Sequence, residues 1–542
     1  MTTIHPHARQ LAGEVASGAL SRREFLTRAT ALGLTASSAY ALLGLMATPA
    51  RAQERQDGGT LRIQQDVRAL KDPRSYDWPQ MSNVTRGWLE YLVKYERDGA
   101  LTPMLLESWD ISDDATGYTL NVRPGVTWSD GTPFTAEDVA FNLTRWCDST
   151  VEGNSMAARF SSLIDEATGQ AREGAITVDD DTTVTLALSF PDVTLIATFS
   201  DYTAAIVPQD FDGDPLNAKG TGAYMPVEYE VGIRAAIEKR PDHQWWGEEV
   251  YGPATLERIE FIDFGTDPAS WFAAADSGEV DMVYETVGEF IDLFDTLDWT
   301  RSESVTSGTV VIRVNQTVEP YGDVRVRRAL QLATDNDTLL ELGNSGRGQV
   351  AANHHVAPIH PDYADIGPSE YDAEQAMALL EEAGQTDHAF ELISLDDDWR
   401  KNTCDAMAAM LRDAGMTVNR TVVPGSTFWT NWTTYPFSAT DWGHRPLGIQ
   451  LLSLAYKSGV PWNETGFDNA EFDSLLEQAQ GIGDADGRAE VMGQLETILR
   501  DEGVITQPYW RSTYRHFAAN VVGAEQHPAF EIHPYELGFV VS

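Results

Sequence analysis

Residues 441–445, Asp-Trp-Gly-His-Arg, crowd a carboxylate, an indole, an imidazole and a guanidinium together. A guanidinium is a planar fork of donors suited to a carboxylate, a phosphate or vicinal hydroxyls, and His444 can add a donor beside Arg445. Phe428-Trp429, Trp432 and Trp462 join Trp442 in an aromatic group larger than a small-residue core needs. Flat apolar walls of that kind hold a ligand in a pocket. His354-His355 precedes a stretch with Pro358 and Pro361. Imidazoles suit nickel, but no third His, Cys or carboxylate stands at a helical or hairpin spacing, so the pair reads as structural or cleft-lining and no metal is expected. The chain has no GxSxG elbow, no HExxH and no P-loop, and its carboxylates are too numerous for a pair to stand out. Binding, not bond-making, is the chemistry indicated. No catalytic residue and no cofactor is expected; a secreted hydrolase is the remote alternative.

The elements that would position these groups alternate along the chain. Thr60 to Gln64 and Tyr118 to Arg123 alternate apolar and polar residues as strands do, and residues 183–190 are β-branched and apolar. Thr135 with Asp138 forms a capping-box pattern ahead of Val139, Phe141 and Leu143. Asp372 opens a second helix that Gly384 stops. Mixed strands and helices without a Pro/Gly-rich linker predict an α/β protein whose lobes are crossed more than once.

Composition narrows the partners. Of 542 residues, 42% are hydrophobic and 22% charged, a globular balance. Asp+Glu number 83 against 38 Lys+Arg, a net charge of −45 that repels nucleic acid and anionic lipid. Six lysines stand beside 32 arginines, and the acids are dispersed, as in a solubility device for salty surroundings. Cys147 and Cys404 cannot build a disulfide framework.

Ser21-Arg22-Arg23-Glu24-Phe25-Leu26 reads as a twin-arginine export signal. An apolar stretch from Ala29 to Met46 follows, then Ala50-Arg51-Ala52, with cleavage expected after Ala52. Position 53 is Gln, so no lipid anchor is indicated, and no later stretch approaches the roughly 20 apolar residues that span a bilayer. The expected location is a bacterial periplasm.

Several motifs in order then resemble a known family. They are Leu101-Thr102-Pro103 with Glu107-Ser108-Trp109, and Trp128-Ser129-Asp130-Gly131-Thr132-Pro133-Phe134-Thr135-Ala136-Glu137-Asp138. Next come Gly220-Thr221-Gly222-Ala223-Tyr224, Arg240-Pro241-Asp242 with Trp245-Trp246, and Ser277-Gly278-Glu279-Val280-Asp281. Asp323 to Leu330 and Asp468-Asn469-Ala470-Glu471-Phe472-Asp473 complete the series. Together they are similar to the bacterial extracellular solute-binding proteins of family 5, which serve ABC importers.

The resemblance implies a two-lobed periplasmic-binding-protein fold of type II (the Venus-flytrap arrangement), with an extra subdomain in the first lobe. Lobe I would take residues 53–305 and 505–542, its inserted subdomain about 90–176, and lobe II residues 306–504. It implies a monomer that is not itself membrane-embedded, a peptide or small-molecule ligand, and permease and ATPase partners at the inner membrane. Met81, Ser82 and Tyr202 fall in segments that line the cleft in relatives, and Gly222 would allow a tight backbone approach there. Trp442, His444 and Arg445, then Trp429 and His354, complete the expected ligand-binding set.

One departure matters. In peptide-binding members an aspartate after the corresponding Trp pairs with the peptide's α-amino group; if Trp442 matches that Trp, Arg445 stands in its place. An ammonium facing a guanidinium is repelled, whereas an anionic or polyhydroxylated group such as that of an acidic sugar, an opine-like conjugate or an oligosaccharide is accepted. Alternatively, Asp441 reaches the ligand and Arg445 braces a loop.

Overall fold

The computed structural model describes residues 55–112, 114–241, 243–396, 399–483 and 485–541. Arg22, Arg23 and the cleavage point after Ala52 lie outside them. The chain divides into two compact units, one running to Glu303 and resuming at Tyr514, the other from Ser304 to Thr513. Both changes of unit fall inside strands, Trp299–Val314 and Tyr509–Ala518. The second lies nine residues beyond the expected position at 504/505, because the strand that carries it starts only at Tyr509.

In the first unit, Thr60–Gln64 runs parallel to Arg258–Ile262 on one side and to Met282–Val283 on the other. The antiparallel hairpin Tyr224–Glu230 and Arg234–Lys239 extends that sheet. Leu61 and Ile63 are buried, as the alternation predicts. A separate antiparallel sheet orders Leu106–Ile111, Gly117–Val122, Thr183–Ala187 and Ile176–Asp180, and so runs past the expected limit near 176. Helix Ala136–Trp146 packs on it. Its capping box is formed as the sequence predicts, with Thr135 N donating to Asp138 Oδ2 at 2.9 Å. Arg55–Gln56 pairs antiparallel with Gly538–Val540, so this unit joins distant parts of the chain.

In the second unit, Ala389–Leu395 and Thr417–Val423 are parallel neighbours, and Phe437–Trp442 lies between the first of these and Trp299–Val314. Helices Val324–Leu332, Asn336–Asn344, Ala373–Glu382 and Trp399–Asp413 bury Leu330, Leu339, Leu380 and Met407 with Phe390, Phe437 and Ala439. Asp372 caps Ala373–Glu382 by accepting from Gln375 N at 2.8 Å. Gly384 ends the segment at φ +68°, a left-handed conformation that glycine takes without strain.

Candidate functional site

Trp442 sits opposite Thr309 in the antiparallel pair, and Phe437 opposite Val314. Side chains alternate along a strand, so Thr440 and Trp442 share one face and Asp441 takes the other. On the first face, Thr440 Oγ1 and the Trp442 indole N–H both donate to Glu464 Oε1, at 2.6 and 2.9 Å. Arg313 Nε donates to Glu464 Oε2 at 2.9 Å. On the second face, Asp441 is ion-paired with Arg400. The alternative in which Asp441 waits for a ligand amine therefore meets a carboxylate that already has a cation.

After Trp442 the backbone is held from several sides. Ser307 N donates to His444 Nδ1 at 3.1 Å, so that nitrogen carries the lone pair, and Ser307 Oγ accepts from Arg445 N at 3.2 Å. Burial pushes His360 down to about 4, which keeps it neutral. Its Nδ1 accepts from Ala357 N at 3.0 Å, leaving Nε2–H to donate to the Arg445 carbonyl at 3.1 Å. Asp362 accepts from Gly448 N and Ile449 N at the start of helix Gly448–Ala455, at 3.2 and 3.4 Å, and is itself paired with the buried Arg488. A Cβ on Gly448 would stand 2.5 Å from Val356 Cγ1, so only glycine fits this approach.

The Arg445 side chain is less committed than its backbone. Nη1 donates to the His444 carbonyl at 3.0 Å, while Nε is buried without a partner. Among the described residues no carboxylate pairs with it, so the loop-brace reading rests on one carbonyl contact.

Sequence reasoning singled out His354, and the structure sets it in different company. Its Nδ1 lies 3.5 Å from Glu496 Oε2, and its ring stacks on Tyr363 at 6.2 Å. It is His355 that joins the site aromatics, edge-on to Trp442 at 5.8 Å and stacked on Trp510 at 6.1 Å. His355 is 0% exposed, its Nδ1 lies 2.9 Å from the Tyr456 hydroxyl, and its Nε2 has no partner. Burial drives its pKa well below the ordinary histidine value. His355, Tyr456, Trp510 and Glu464, which gather around Trp442 and one another, are candidate site residues that local sequence pattern does not announce; only the doubled histidine gave a signal for one of them.

The expected aromatic pocket separates into two groups. Trp442 packs edge-on to Trp462 at 5.9 Å. Phe428 is instead core, packed with Ile393, Leu395, Trp432 and Tyr435, because helix Gly425–Asn431 turns it inward. Trp429 lies on the outside of that group, 37% exposed and edge-on to Phe428 at 5.3 Å, with the Arg400 guanidinium 5.9 Å from its ring.

The remaining expected residues lie in the first unit. Met81 and Ser82 are buried in helix Pro79–Thr85, and Ser82 Oγ donates to Pro79 O at 2.8 Å. Tyr202 donates its hydroxyl to Asp77 O at 3.3 Å and accepts at its carbonyl from Tyr91. Gly222 does make a tight backbone approach: a Cβ there would stand 2.6 Å from Gly87 O. Its motif laces onto residues 87–90, with Gly222 N donating to Trp88 O at 3.1 Å and Thr221 Oγ1 to the buried Glu90 at 2.7 Å.

His527, Glu531 and His533 bring three metal-capable atoms within 4.8 Å of one another. Each of the three already has polar partners. His527 Nδ1 accepts from Ala529 N and its Nε2 meets Tyr95 O at 3.0 Å, while Glu531 is ion-paired with Arg86 at 2.8 Å and bonded to His533 at 2.7 Å. The arrangement is a buried polar network, and the adjacent Arg86 guanidinium repels a cation. Cys147 and Cys404 are both buried, and burial lifts the Cys147 thiol to about 12, which leaves it unreactive.

This α/β architecture is the two-lobed periplasmic-binding fold of type II, shared with solved solute-binding proteins. One of them, the clavulanic acid biosynthesis oligopeptide binding protein 2, superposes with a TM-score of 0.79 at 20% identity, over 90% of this chain and 97% of that one. Residues 100–462 match the family described as bacterial extracellular solute-binding proteins, family 5 Middle, and the chain belongs to that family. It is 23% identical over 537 residues to the dipeptide-binding protein DppE of Bacillus subtilis, covering 92% of this chain and 96% of that protein. It is also 24% identical over 478 residues to the periplasmic oligopeptide-binding protein OppA of Salmonella typhimurium, covering 82% and 85%. No helix among the described residues is long and apolar enough to cross a membrane.

Proposed function

We propose that this protein is the substrate-binding component of an ABC importer, exported through the twin-arginine route to the periplasm. It captures a peptide-like or other small polar solute by closing its lobes and delivers it to permease and ATPase subunits at the inner membrane. It acts as a monomer, needs no cofactor and leaves its ligand chemically unchanged. The family match over residues 100–462 carries this reading. The dipeptide- and oligopeptide-binding relatives favour a peptide-like ligand. The Trp442 group supports it, offering flat apolar walls beside a few fixed polar atoms.

Lobe closure follows from differential affinity, since a ligand that binds the closed state better draws the protein into it. The test is native mass spectrometry of protein recovered from the periplasm, followed by a thermal-shift screen of di- and oligopeptides, sugars and metal chelates. A solute that raises the midpoint and is recovered intact supports the reading. Recovery of a cleaved solute removes it. Export is tested by cell fractionation of the Arg22→Lys, Arg23→Lys double variant, which should stay in the cytoplasm.

A further inference from the structure

We propose that Arg445 reads a carboxylate on the ligand, so that the solutes of this protein are organic acids at the end held by the second unit. This rests on the solute-binding reading above and names the chemistry of its site.

The first observation is a charge without a partner. The chain carries 83 acidic residues against 38 basic ones, so carboxylates to neutralise a guanidinium are plentiful. The fully buried arginines Arg313 and Arg488 of the second unit each take one, Arg313 pairing with Glu464 at 2.9 Å and Arg488 with Asp362 at 3.2 Å, whereas the half-buried Arg445 does not. Arg445 has only the His444 carbonyl at Nη1, and its buried Nε has nothing. Asp441, the carboxylate nearest in sequence, is already taken by Arg400. A buried donor left unsatisfied is costly, more so on a charged group, which is why such groups normally have partners.

The second observation is independent of the first. His355, fully buried and edge-on to Trp442, also leaves a ring nitrogen, Nε2, without a partner. When the Tyr456 hydroxyl donates to Nδ1, Nε2 carries the ring proton and lacks an acceptor. Burial keeps the ring neutral, so His355 adds a donor without adding a charge.

The third is rigidity. Ser307, His360 and Asp362 fix the backbone around Arg445, so the guanidinium is presented from a fixed base and little ordering is left for binding. A carboxylate matches this geometry because its two oxygens accept side by side from the Nε edge of a guanidinium.

The test uses the mature protein and matched pairs that differ only in that group, titrated by calorimetry. The pairs are Ala-Phe and its amide, N-acetyl-Ala-Phe and its amide, and glucuronic acid and glucuronamide. The expected result is that at least one acid binds, its amide binds at least tenfold more weakly, and Arg445→Gln removes that difference. Arg445→Lys, which keeps the charge but not the fork, should fall between, and the surface variant Arg325→Gln should match wild type. The peptide and sugar-acid arms separate the two sources of the carboxylate. Equal binding of acid and amide, full affinity in Arg445→Gln, or silence of every acid overturns the proposal. A neutral or cationic solute found by native mass spectrometry also overturns it while leaving solute capture standing; failure of solute capture itself would show as no bound solute of any class.

Discussion

Arg313 and Glu464 form an ion pair at 2.9 Å with their side chains 0% and 2% exposed, and Glu464 is also the acceptor for Thr440 and Trp442. Arg313 spends its other nitrogens on the carbonyls of Tyr435 and Trp432. The pair thereby ties the strand that ends at Trp442 to the segment bearing Trp432. Removing one member of a buried, fully bonded pair leaves an uncompensated charge and costs about 3–5 kcal/mol. Glu464→Ala is therefore expected to lower the denaturation midpoint strongly and to weaken ligand binding with it. Urea unfolding monitored by tryptophan fluorescence checks this; a loss below about 1 kcal/mol, in the range of a surface ion pair, would contradict it.

Gly448 offers a steric test. With a Cβ only 2.5 Å from Val356 Cγ1, Gly448→Ala overpacks the start of the helix that follows Arg445. Such insertions cost about 1–3 kcal/mol. The double variant Gly448→Ala, Val356→Ala should recover part of the loss, as room is made at the point of contact. Thermal denaturation of the single and double variants decides; no recovery would mean the strain lies elsewhere.

Burial lifts Glu496 to about 9 and lowers His354 to about 3, so both stay uncharged at neutral pH. The Glu496 carboxyl, raised above its unfolded value, contributes stability below about pH 4.5 that is lost as pH climbs toward 9. His354, depressed, contributes stability above about pH 6.5 that is lost as pH falls toward 3. The two slopes oppose each other between those unfolded values, and above pH 6.5 only the Glu496 slope remains. Wild type should thus lose stability relative to Glu496→Gln by roughly 3 kcal/mol between pH 6.5 and 9. Parallel stability–pH curves for the two proteins would refute this.

A net charge of −45 repels itself in the folded state more than in the expanded one. Raising sodium chloride from 0.05 to 0.5 M should screen that repulsion and lift the midpoint by several degrees. A midpoint that falls with salt would mean that ion pairs such as Arg62–Asp281 outweigh the net charge.

Local chemistry was the legible part of the sequence. The Thr135/Asp138 capping box, the Asp372 cap and the Gly384 stop are decided within a few residues, and each formed as read. Family order gave the fold class for the same reason: its motifs are turns and close approaches such as Gly222 against Gly87. The site was only partly legible. Trp442, His444 and Arg445 are consecutive enough to be seen together, but what they meet comes from far along the chain. Ser307 reaches His444 across 137 positions, and His360 reaches the Arg445 carbonyl across 85. No local pattern announces such pairings. The same blindness hides that His354 lies beside Glu496 and that Phe428 packs with Ile393 and Leu395.

The pairing of Arg55–Gln56 with Gly538–Val540 has a consequence for biosynthesis. Arg55 is bonded to the carbonyl of Tyr535, 480 positions later, so the first unit stays incomplete until most of the polypeptide has left the ribosome. The intervening second unit, contiguous in the chain, can mature while its predecessor is still waiting. A nascent chain halted near residue 513 would therefore hold one finished body and one open sheet, a natural client for chaperones and a poor candidate for any export gate that admits only folded cargo.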